Sequence, residues 1–122
     1  MDAFSMPKTN EIEKTKRKQA IQDATKYAIE IPFTVMQTAH QSLSLIQQMA
    51  ETGNPNSVSD AGVGALCART AVYGAYLNVK INAAGYDDKS YVEDILTKAN
   101  LVLEKTVQQE QQILEIVNSK IS

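Results

Sequence analysis

The chain has 122 residues, 43% of them hydrophobic, and its 12 basic and 14 acidic side chains give a net charge of -2. This length suits one domain with its own core, so we expect a single all-helical domain over residues 1–122. The near balance of charges excludes the basic excess of a nucleic-acid-binding domain. Having just one cysteine, Cys67, and one histidine, His40, excludes an intrachain disulfide and a Cys/His metal cluster, and we expect no metal site.

No targeting or membrane-spanning segment is visible. Residues 1–7 lack the basic and apolar regions of a secretory signal. The most apolar stretch, residues 61–68, ends at Arg69 and falls well short of the roughly 20 residues that cross a bilayer. We therefore expect a cytoplasmic protein without a membrane partner.

The first half of the chain predicts two helices. Asn10 and Glu13 have the spacing of a capping box at the start of a helix that runs to about Glu30. Pro32 has no amide hydrogen and is expected to kink or break this helix. A second helix over residues 33–52 is expected to end at Gly53 in a left-handed cap, before a turn at residues 54–57.

The second half predicts two more helices. Ser57 or Ser59 can cap the third, which extends to about Ala84, and Asp87 or Asp88 can cap the fourth, which runs nearly to the end of the chain. Five polar residues at 108–112 interrupt the apolar stripe of the fourth helix and indicate an exposed stretch or polar contacts with a partner. The prediction is an all-α bundle of about four helices, the last one long.

The third predicted helix carries a stripe of small side chains followed by two amides. The small residues, three and four positions apart, are Ala61, Gly64, Ala68, Ala71 and Ala75. Asn78 and Asn82 continue the same line, and each would cost about 1–3 kcal/mol if buried without a partner. They are therefore expected to cap a neighbouring helix end, to bond across a dimer interface, or to face a polar ligand.

Other residues have a structural interpretation beside a functional one. Arg69 and Lys80 are expected to be surface charges or interhelical ion-pair partners, with an anionic substrate tail as the alternative. His40 is expected at the surface or the core edge rather than as a base, and Cys67 is expected to be buried. The residues of the turn before the third helix are expected to form turns and caps, or to receive a carboxylate or a polar ring edge at the helix start: Asn54, Asn56, Ser57, Ser59 and Asp60.

Two segments resemble a known family. Residues 53–82 read GNPNSVSDAGVGALCARTAVYGAYLNVKIN, and residues 2–33 read DAFSMPKTNEIEKTKRKQAIQDATKYAIEIPF. Both are similar to the formiminotetrahydrofolate cyclodeaminase and methenyltetrahydrofolate cyclohydrolase family. The similarity is strongest at residues 53–54, 59–60 and 74–76 and at Asn78 and Asn82.

The resemblance implies a function in tetrahydrofolate one-carbon metabolism, on an all-α bundle that associates as a dimer. A cyclodeaminase closes 5-formiminotetrahydrofolate to 5,10-methenyltetrahydrofolate with loss of ammonia. A cyclohydrolase opens the methenyl ring with water to give 10-formyltetrahydrofolate. Both reactions imply a folate substrate, and neither implies a metal or redox cofactor. The folate-binding residues implied are Asn54, Ser59, Asp60, Asn78 and Asn82.

The resemblance covers the carboxy-terminal part of the family domain. Members begin further upstream with a PGGGS-type segment, an Ala-rich helix and an acidic stretch that supplies a catalytic aspartate. We therefore assign no catalytic residue here and expect activity to require an upstream half, or a dimer mate. The alternatives are a catalytically inert helical module of the same fold and, more remotely, an unrelated helical adaptor.

Overall fold

The computed structural model describes residues 2–121 and contains three long helices. They are α1 (Glu11–Thr52), α2 (Val58–Ala83) and α3 (Lys89–Ile121), with short 3-10 turns at Ala3–Ser5 and Pro55–Ser57. The described residues form no strand. The all-α prediction is confirmed, while the count of about four helices is one too many.

The first and second predicted helices are one continuous helix, so the predicted break at Pro32 is wrong. Helix α1 has 42 residues, which corresponds to a length of about 63 Å. Pro32 cannot donate to the carbonyl of Ala28, one turn earlier. Asn82 of α2 replaces the missing donor, because its Nδ2 lies 3.2 Å from the Ala28 carbonyl oxygen. A side chain from the neighbouring helix thus compensates for the proline inside α1.

This replacement predicts coupling between Pro32 and Asn82. Asn82→Ala should lower the free energy of unfolding by about 1–2 kcal/mol, since it leaves the Ala28 carbonyl without a donor. In a Pro32→Ala background the new amide hydrogen reaches that carbonyl, so the same substitution should cost less. Chemical denaturation of the four proteins measures this difference. Asn78→Ala, on the exposed side of the same helix, is the control; equal Asn82 costs in both backgrounds would contradict the coupling.

Gly53 ends α1, though not in the predicted left-handed conformation. Its φ is -74°, and its amide donates to the Met49 carbonyl at 2.9 Å. A Cβ at this position would collide with the Met49 carbonyl oxygen. Glycine is therefore required here by a close backbone approach, which sequence patterns do not distinguish from a left-handed cap.

The predicted N-terminal caps are largely confirmed. The Asn10 side chain accepts from the Glu13 amide at 2.9 Å, and the Asp88 carboxylate accepts from the Tyr91 amide at 3.1 Å. The Glu13 carboxylate in turn accepts from the amide of Thr9 at 2.9 Å. Ser57 stands at the cap position of α2 without a side-chain capping bond, so its predicted role is wrong.

The core has two apolar clusters, one towards each end of the bundle. The cluster at the α2–α3 turn contains Ile29, Met36, Val72, Ala75, Val79, Ala83, Ile95 and Ala99. The cluster at the α1–α2 turn contains Leu43, Ala50, Val58, Ala65, Ala68, Ile113 and Val117. Residues of all three helices interdigitate in each cluster, so both clusters hold the helices together.

A layer of polar side chains separates the two clusters. We call it the central polar layer, and it consists of His40, Arg69, Thr106 and Glu110. Arg69 Nε lies 3.2 Å from Glu110 Oε2, within ion-pair distance although the N–H does not point at that oxygen. His40 Nδ1 lies 2.9 Å from the Thr106 hydroxyl. Residues 108–112 were expected to be exposed or to make polar contacts with a partner. Glu110 makes a polar contact, and its partner is a residue of the same chain.

Candidate functional site

The groove between α1 and α2 contains the two predicted amides. Its volume is about 570 Å³, and we call it the amide groove. Helix α1 contributes an aromatic ring and aliphatic side chains, while α2 contributes alanines and the amides. The lining residues are Tyr27, Ala28, Ile31, Pro32, Val35, Ala71, Ala75, Asn78 and Asn82. Apolar walls with a few polar groups are typical of small-molecule sites.

The two amides differ in what they can offer a ligand. Asn82 uses its amide hydrogens within the chain, because Nδ2 donates to the carbonyls of Ala28 at 3.2 Å and Asn78 at 2.9 Å. Both neighbours are acceptors, so the amide nitrogen is the atom that faces them. The side-chain oxygen of Asn82 therefore remains available to accept a hydrogen bond from a ligand. Asn78 is exposed, and its amide makes no hydrogen bond to the described residues, so it offers a donor and an acceptor.

A second groove lies at the other end of α1 and α2. It has a volume of about 440 Å³, and we call it the loop groove. The lining residues are Leu45, Ile46, Met49, Gly53, Asn54, Ser57, Asp60, Ala61 and Gly64. The Asn54 side chain accepts from the Asn56 amide at 3.0 Å and forms a turn. Asn54 therefore has the turn-forming role that the sequence predicts. Asp60 is exposed in the first turn of α2.

The five predicted site residues do not form one cluster. Asn78 and Asn82 share the amide groove, Asn54 and Asp60 share the loop groove, and Ser59 lines neither. The two grooves are separated along α1 by the ten positions from Val35 to Leu45, about 15 Å of helix. Both open along the α1–α2 seam, so only an elongated ligand would contact both.

Neither groove contains an obvious acid–base pair. Tyr27 is the one titratable residue among those lining the amide groove, and Asp60 is the one in the loop groove. His40 faces α3 instead. The Thr106 hydroxyl donates to the Val102 carbonyl at 2.8 Å and therefore accepts from His40 Nδ1. Burial, together with the nearby Lys105 ammonium, lowers the pKa of His40 and favours a neutral imidazole in this structural role.

Sequence reasoning missed the α1 side of the amide groove. Tyr27, Ile31 and Val35 follow one another at intervals of four and line the same wall. The expected break at Pro32 assigned Tyr27 and Val35 to different helices and concealed this continuity. The interval of four residues from Tyr27 to Ile31 and from Ile31 to Val35 continues across Pro32, and this was the sequence signal for a continuous wall.

Three further predictions on α2 have definite outcomes. Arg69 forms an interhelical ion pair with Glu110, one of its two structural interpretations. The Lys80 ammonium lies 5.4 Å from the centre of the Tyr76 ring. Cys67 is exposed, so its predicted burial is wrong. Helix α2 is apolar on nearly all sides, and sequence periodicity therefore gave no reliable inner face for Cys67.

Comparison with known proteins assigns the class of this all-α domain. The sequence profile of formiminotransferase-cyclodeaminase matches residues 1–101. This match covers most of the chain, including the amide groove and the loop groove. The chain belongs to the formiminotransferase-cyclodeaminase family.

Individual relatives narrow the comparison. A methenyltetrahydrofolate cyclohydrolase from Methylorubrum extorquens is 35% identical over 122 residues, which is all of this chain and 59% of the relative. A formimidoyltransferase-cyclodeaminase from Dictyostelium discoideum is 35% identical over 101 residues, which is 83% of this chain and 19% of the relative. The Gallus gallus formimidoyltransferase-cyclodeaminase is 30% identical over 120 residues, 98% of this chain and 22% of the relative. The chain thus spans little more than half of the shortest of these three.

Within residues 2–121, no helix combines the length and apolar character that a bilayer crossing requires.

Proposed function

We propose that this chain acts in tetrahydrofolate one-carbon metabolism, as part of a cyclodeaminase or a methenyltetrahydrofolate cyclohydrolase. Family membership and the names of its relatives support the proposal. The two candidate reactions share their chemistry, since each passes through a tetrahedral carbon between two folate nitrogens. Each therefore needs an oriented pterin and a group that moves a proton.

The amide groove is the observation that carries this proposal. A pterin is a flat ring with alternating hydrogen-bond donors and acceptors along its edge. Asn78 supplies a donor and an acceptor, and the Asn82 oxygen supplies a second acceptor. Tyr27 provides an aromatic face at the rim, and Ile31 and Val35 provide apolar walls. These groups match a heteroaromatic ring better than a charged or purely aliphatic ligand.

The loop groove suits the more distant part of the same substrate. Asn54 and Asp60 line this groove, and Ser59 precedes Asp60 in the first turn of α2, where the positive end of the helix dipole favours a carboxylate. The exposed Asp60 carboxylate would oppose an anion, so its proposed role is to accept a hydrogen bond. The proposed folate-binding set thus remains Asn54, Ser59, Asp60, Asn78 and Asn82, distributed over two ends of one seam.

The proton-transfer group is proposed to come from outside this chain. No carboxylate, imidazole or amine lines the amide groove among the described residues. Either a second copy or a polypeptide that corresponds to the upstream half of the family domain would complete the site. In this arrangement residues 1–122 act as one helical domain that orients the pterin, in the cytoplasm, without a metal or redox cofactor.

Binding and turnover of 5,10-methenyltetrahydrofolate test the proposal. Calorimetry should show that the chain binds the folate, and Asn78→Ala should weaken binding about tenfold, the value of one lost hydrogen bond. Turnover, followed by loss of the methenyl absorbance, should appear or increase when the unmatched portion of the Methylorubrum extorquens cyclohydrolase is added. Ammonia release from 5-formiminotetrahydrofolate distinguishes a cyclodeaminase from a cyclohydrolase.

The control variant is Gln108→Ala, which removes an exposed amide from α3, away from both grooves. It should bind folate like the unmodified chain. If Asn78→Ala and Gln108→Ala bind equally well, the amide groove is not the pterin site. Absence of both folate binding and turnover, with and without the added portion, would reject the proposed function and leave the inert helical module.

A further inference from the structure

Pro32 leaves one backbone acceptor of α1 without its regular helical donor. In a regular helix the amide of residue 32 donates to the carbonyl of Ala28, but proline has no amide hydrogen. Ala28 and Pro32 both line the amide groove, and both are partly exposed. The wall of the amide groove therefore contains a backbone carbonyl in addition to the two asparagine side chains.

The Ala28 carbonyl can accept a second hydrogen bond. A carbonyl oxygen has two lone pairs, and Asn82 Nδ2, at 3.2 Å, occupies one of them. The amide hydrogen that would occupy the other is the one that Pro32 lacks. A donor on a ligand in the amide groove can take its place.

Two acceptors lie side by side in the amide groove. Nδ2 and Oδ1 belong to one side-chain amide, so the Asn82 oxygen lies close to the Ala28 oxygen that its nitrogen contacts. Both acceptors are uncharged, and no carboxylate lines this groove among the described residues. Such a pair matches two neighbouring N–H donors on one edge of a neutral ligand, because each donor then has its own oxygen.

Fold stability alone does not favour proline at position 32. Proline in a helix interior is strongly destabilising relative to alanine, because it removes a hydrogen bond and crowds the preceding turn. The bond from Asn82 offsets part of this cost, and its length of 3.2 Å is at the long end of the usual range. Natural proteins accept such local losses at functional sites. What proline supplies in return is the free lone pair of the Ala28 carbonyl.

We propose that Pro32 determines the ligand specificity of the amide groove by keeping the Ala28 carbonyl open to it. The Ala28 and Asn82 oxygens accept from the ring N–H and the neighbouring amino group of a 2-amino-4-oxo heterocycle. A dioxo ring, with an oxygen in place of the amino group, sets an oxygen against an oxygen and binds less well. Pro32 makes neither bond itself, so it is a positioning residue.

The assignment of Pro32 rests on the proposed function in one respect, since the pterin ring of a folate is a 2-amino-4-oxo heterocycle. It adds the edge by which the ring is recognised and the residue that leaves this edge its acceptor. The free ring tests this assignment, whereas folate binding and turnover test the proposed function. The two can therefore fail separately.

Pterin and lumazine are the probes, since lumazine has an oxygen in place of the 2-amino group of pterin. Fluorescence titration of the whole chain should give about tenfold tighter binding of pterin, the value of one hydrogen bond. Pro32→Ala and Pro32→Val restore the amide hydrogen, which then competes for the Ala28 carbonyl. Both should weaken pterin binding about tenfold and change lumazine binding less than about twofold. Their melting temperatures should stay the same or rise, because α1 gains a bond.

The control is Pro55→Ala, which removes a proline from the turn at Pro55–Ser57 that lines neither groove. It should leave both affinities unchanged. Unchanged pterin binding by the Pro32 variants would overturn the proposal. So would equal weakening of both rings, which would indicate lost contact with the proline ring, or a fall in melting temperature, which would indicate a role in folding.

A chain that does not bind pterin would also overturn the specificity assigned to Pro32. Turnover of 5,10-methenyltetrahydrofolate with the added portion of the Methylorubrum extorquens cyclohydrolase would in that case still support the proposed function. Tighter pterin binding that Pro32→Val removes, in a variant that remains fully folded, is the result expected.

Discussion

Arg69→Met should lower the free energy of unfolding by about 3 kcal/mol. The Glu110 side chain is 4% exposed and has Arg69 as its ion-pair partner. Without Arg69 its carboxylate stays buried between two apolar clusters without a compensating charge. Breaking a buried pair typically costs 3–5 kcal/mol, and the low end applies because the Arg69 side chain is 45% exposed and water reaches it. Urea denaturation monitored by circular dichroism measures the loss.

A double variant separates the charge from the packing. Arg69→Met with Glu110→Leu removes both charges, so it should regain most of the lost stability. Lys80→Met removes the other α2 cation, which has no buried partner, and should change stability by less than about 1 kcal/mol. If the double variant is as unstable as Arg69→Met alone, the effect comes from lost packing of the arginine stem and not from the unpaired carboxylate.

Leu43→Ala should lower the free energy of unfolding by about 2–5 kcal/mol. Leu43 is 0% exposed and packs in the cluster at the α1–α2 turn. Truncation removes buried apolar surface and leaves a cavity that straight helices close only in part. Its neighbours in the cluster include small residues such as Ala65 and Ala68, which cannot extend to fill the space. Denaturant titration with an unchanged slope would identify the effect as lost stability.

The control for this prediction lies two residues away on the same helix. Leu45 is 61% exposed, so Leu45→Ala should change stability by no more than about 0.5 kcal/mol. Helix propensity changes alike in the two variants, because both replace leucine by alanine in the interior of α1. Comparable losses in the two variants would show that burial is not what distinguishes them.

Local signals predicted the ends of the helices well. Asn10 and Asp88 cap as expected because an oxygen placed beside free amides is a property of a few neighbouring residues. At the start of α2, by contrast, Ser57 makes no side-chain capping bond, so the expected signal is absent there. The all-α class follows from periodicity along each segment and needs no tertiary contact.

The error at Pro32 has a tertiary cause. The sequence around the proline predicts a break, and the break is avoided by Asn82, a residue 50 positions later whose side chain reaches the Ala28 carbonyl. Local rules do not include such a donor. The same contact shows that Asn82 bonds to the interior of a neighbouring helix, whereas the sequence suggested a helix end, an interface or a ligand.

The sequence singled out the two amides of the candidate site, but it did not predict the shape of the groove that they line. Asn78 and Asn82 stand out because amides are unusual on an apolar helix. That Asn54 and Asp60 belong to a different groove depends on how α1 and α2 align, which sequence spacing within one helix does not contain. The ion pair of Glu110 was also hidden, since a glutamate among glutamines gives no sign of burial.

The central polar layer has a consequence for the alignment of the helices. Sliding α3 by one turn relative to α2 would separate Glu110 from Arg69 and move the buried carboxylate towards one of the two apolar clusters. Apolar contacts alone tolerate such a slide, because one methyl group substitutes for another. The central polar layer therefore favours one axial register of the three helices. The bond from Asn82 to the Ala28 carbonyl adds a polar contact that aligns α2 with α1 at the amide groove.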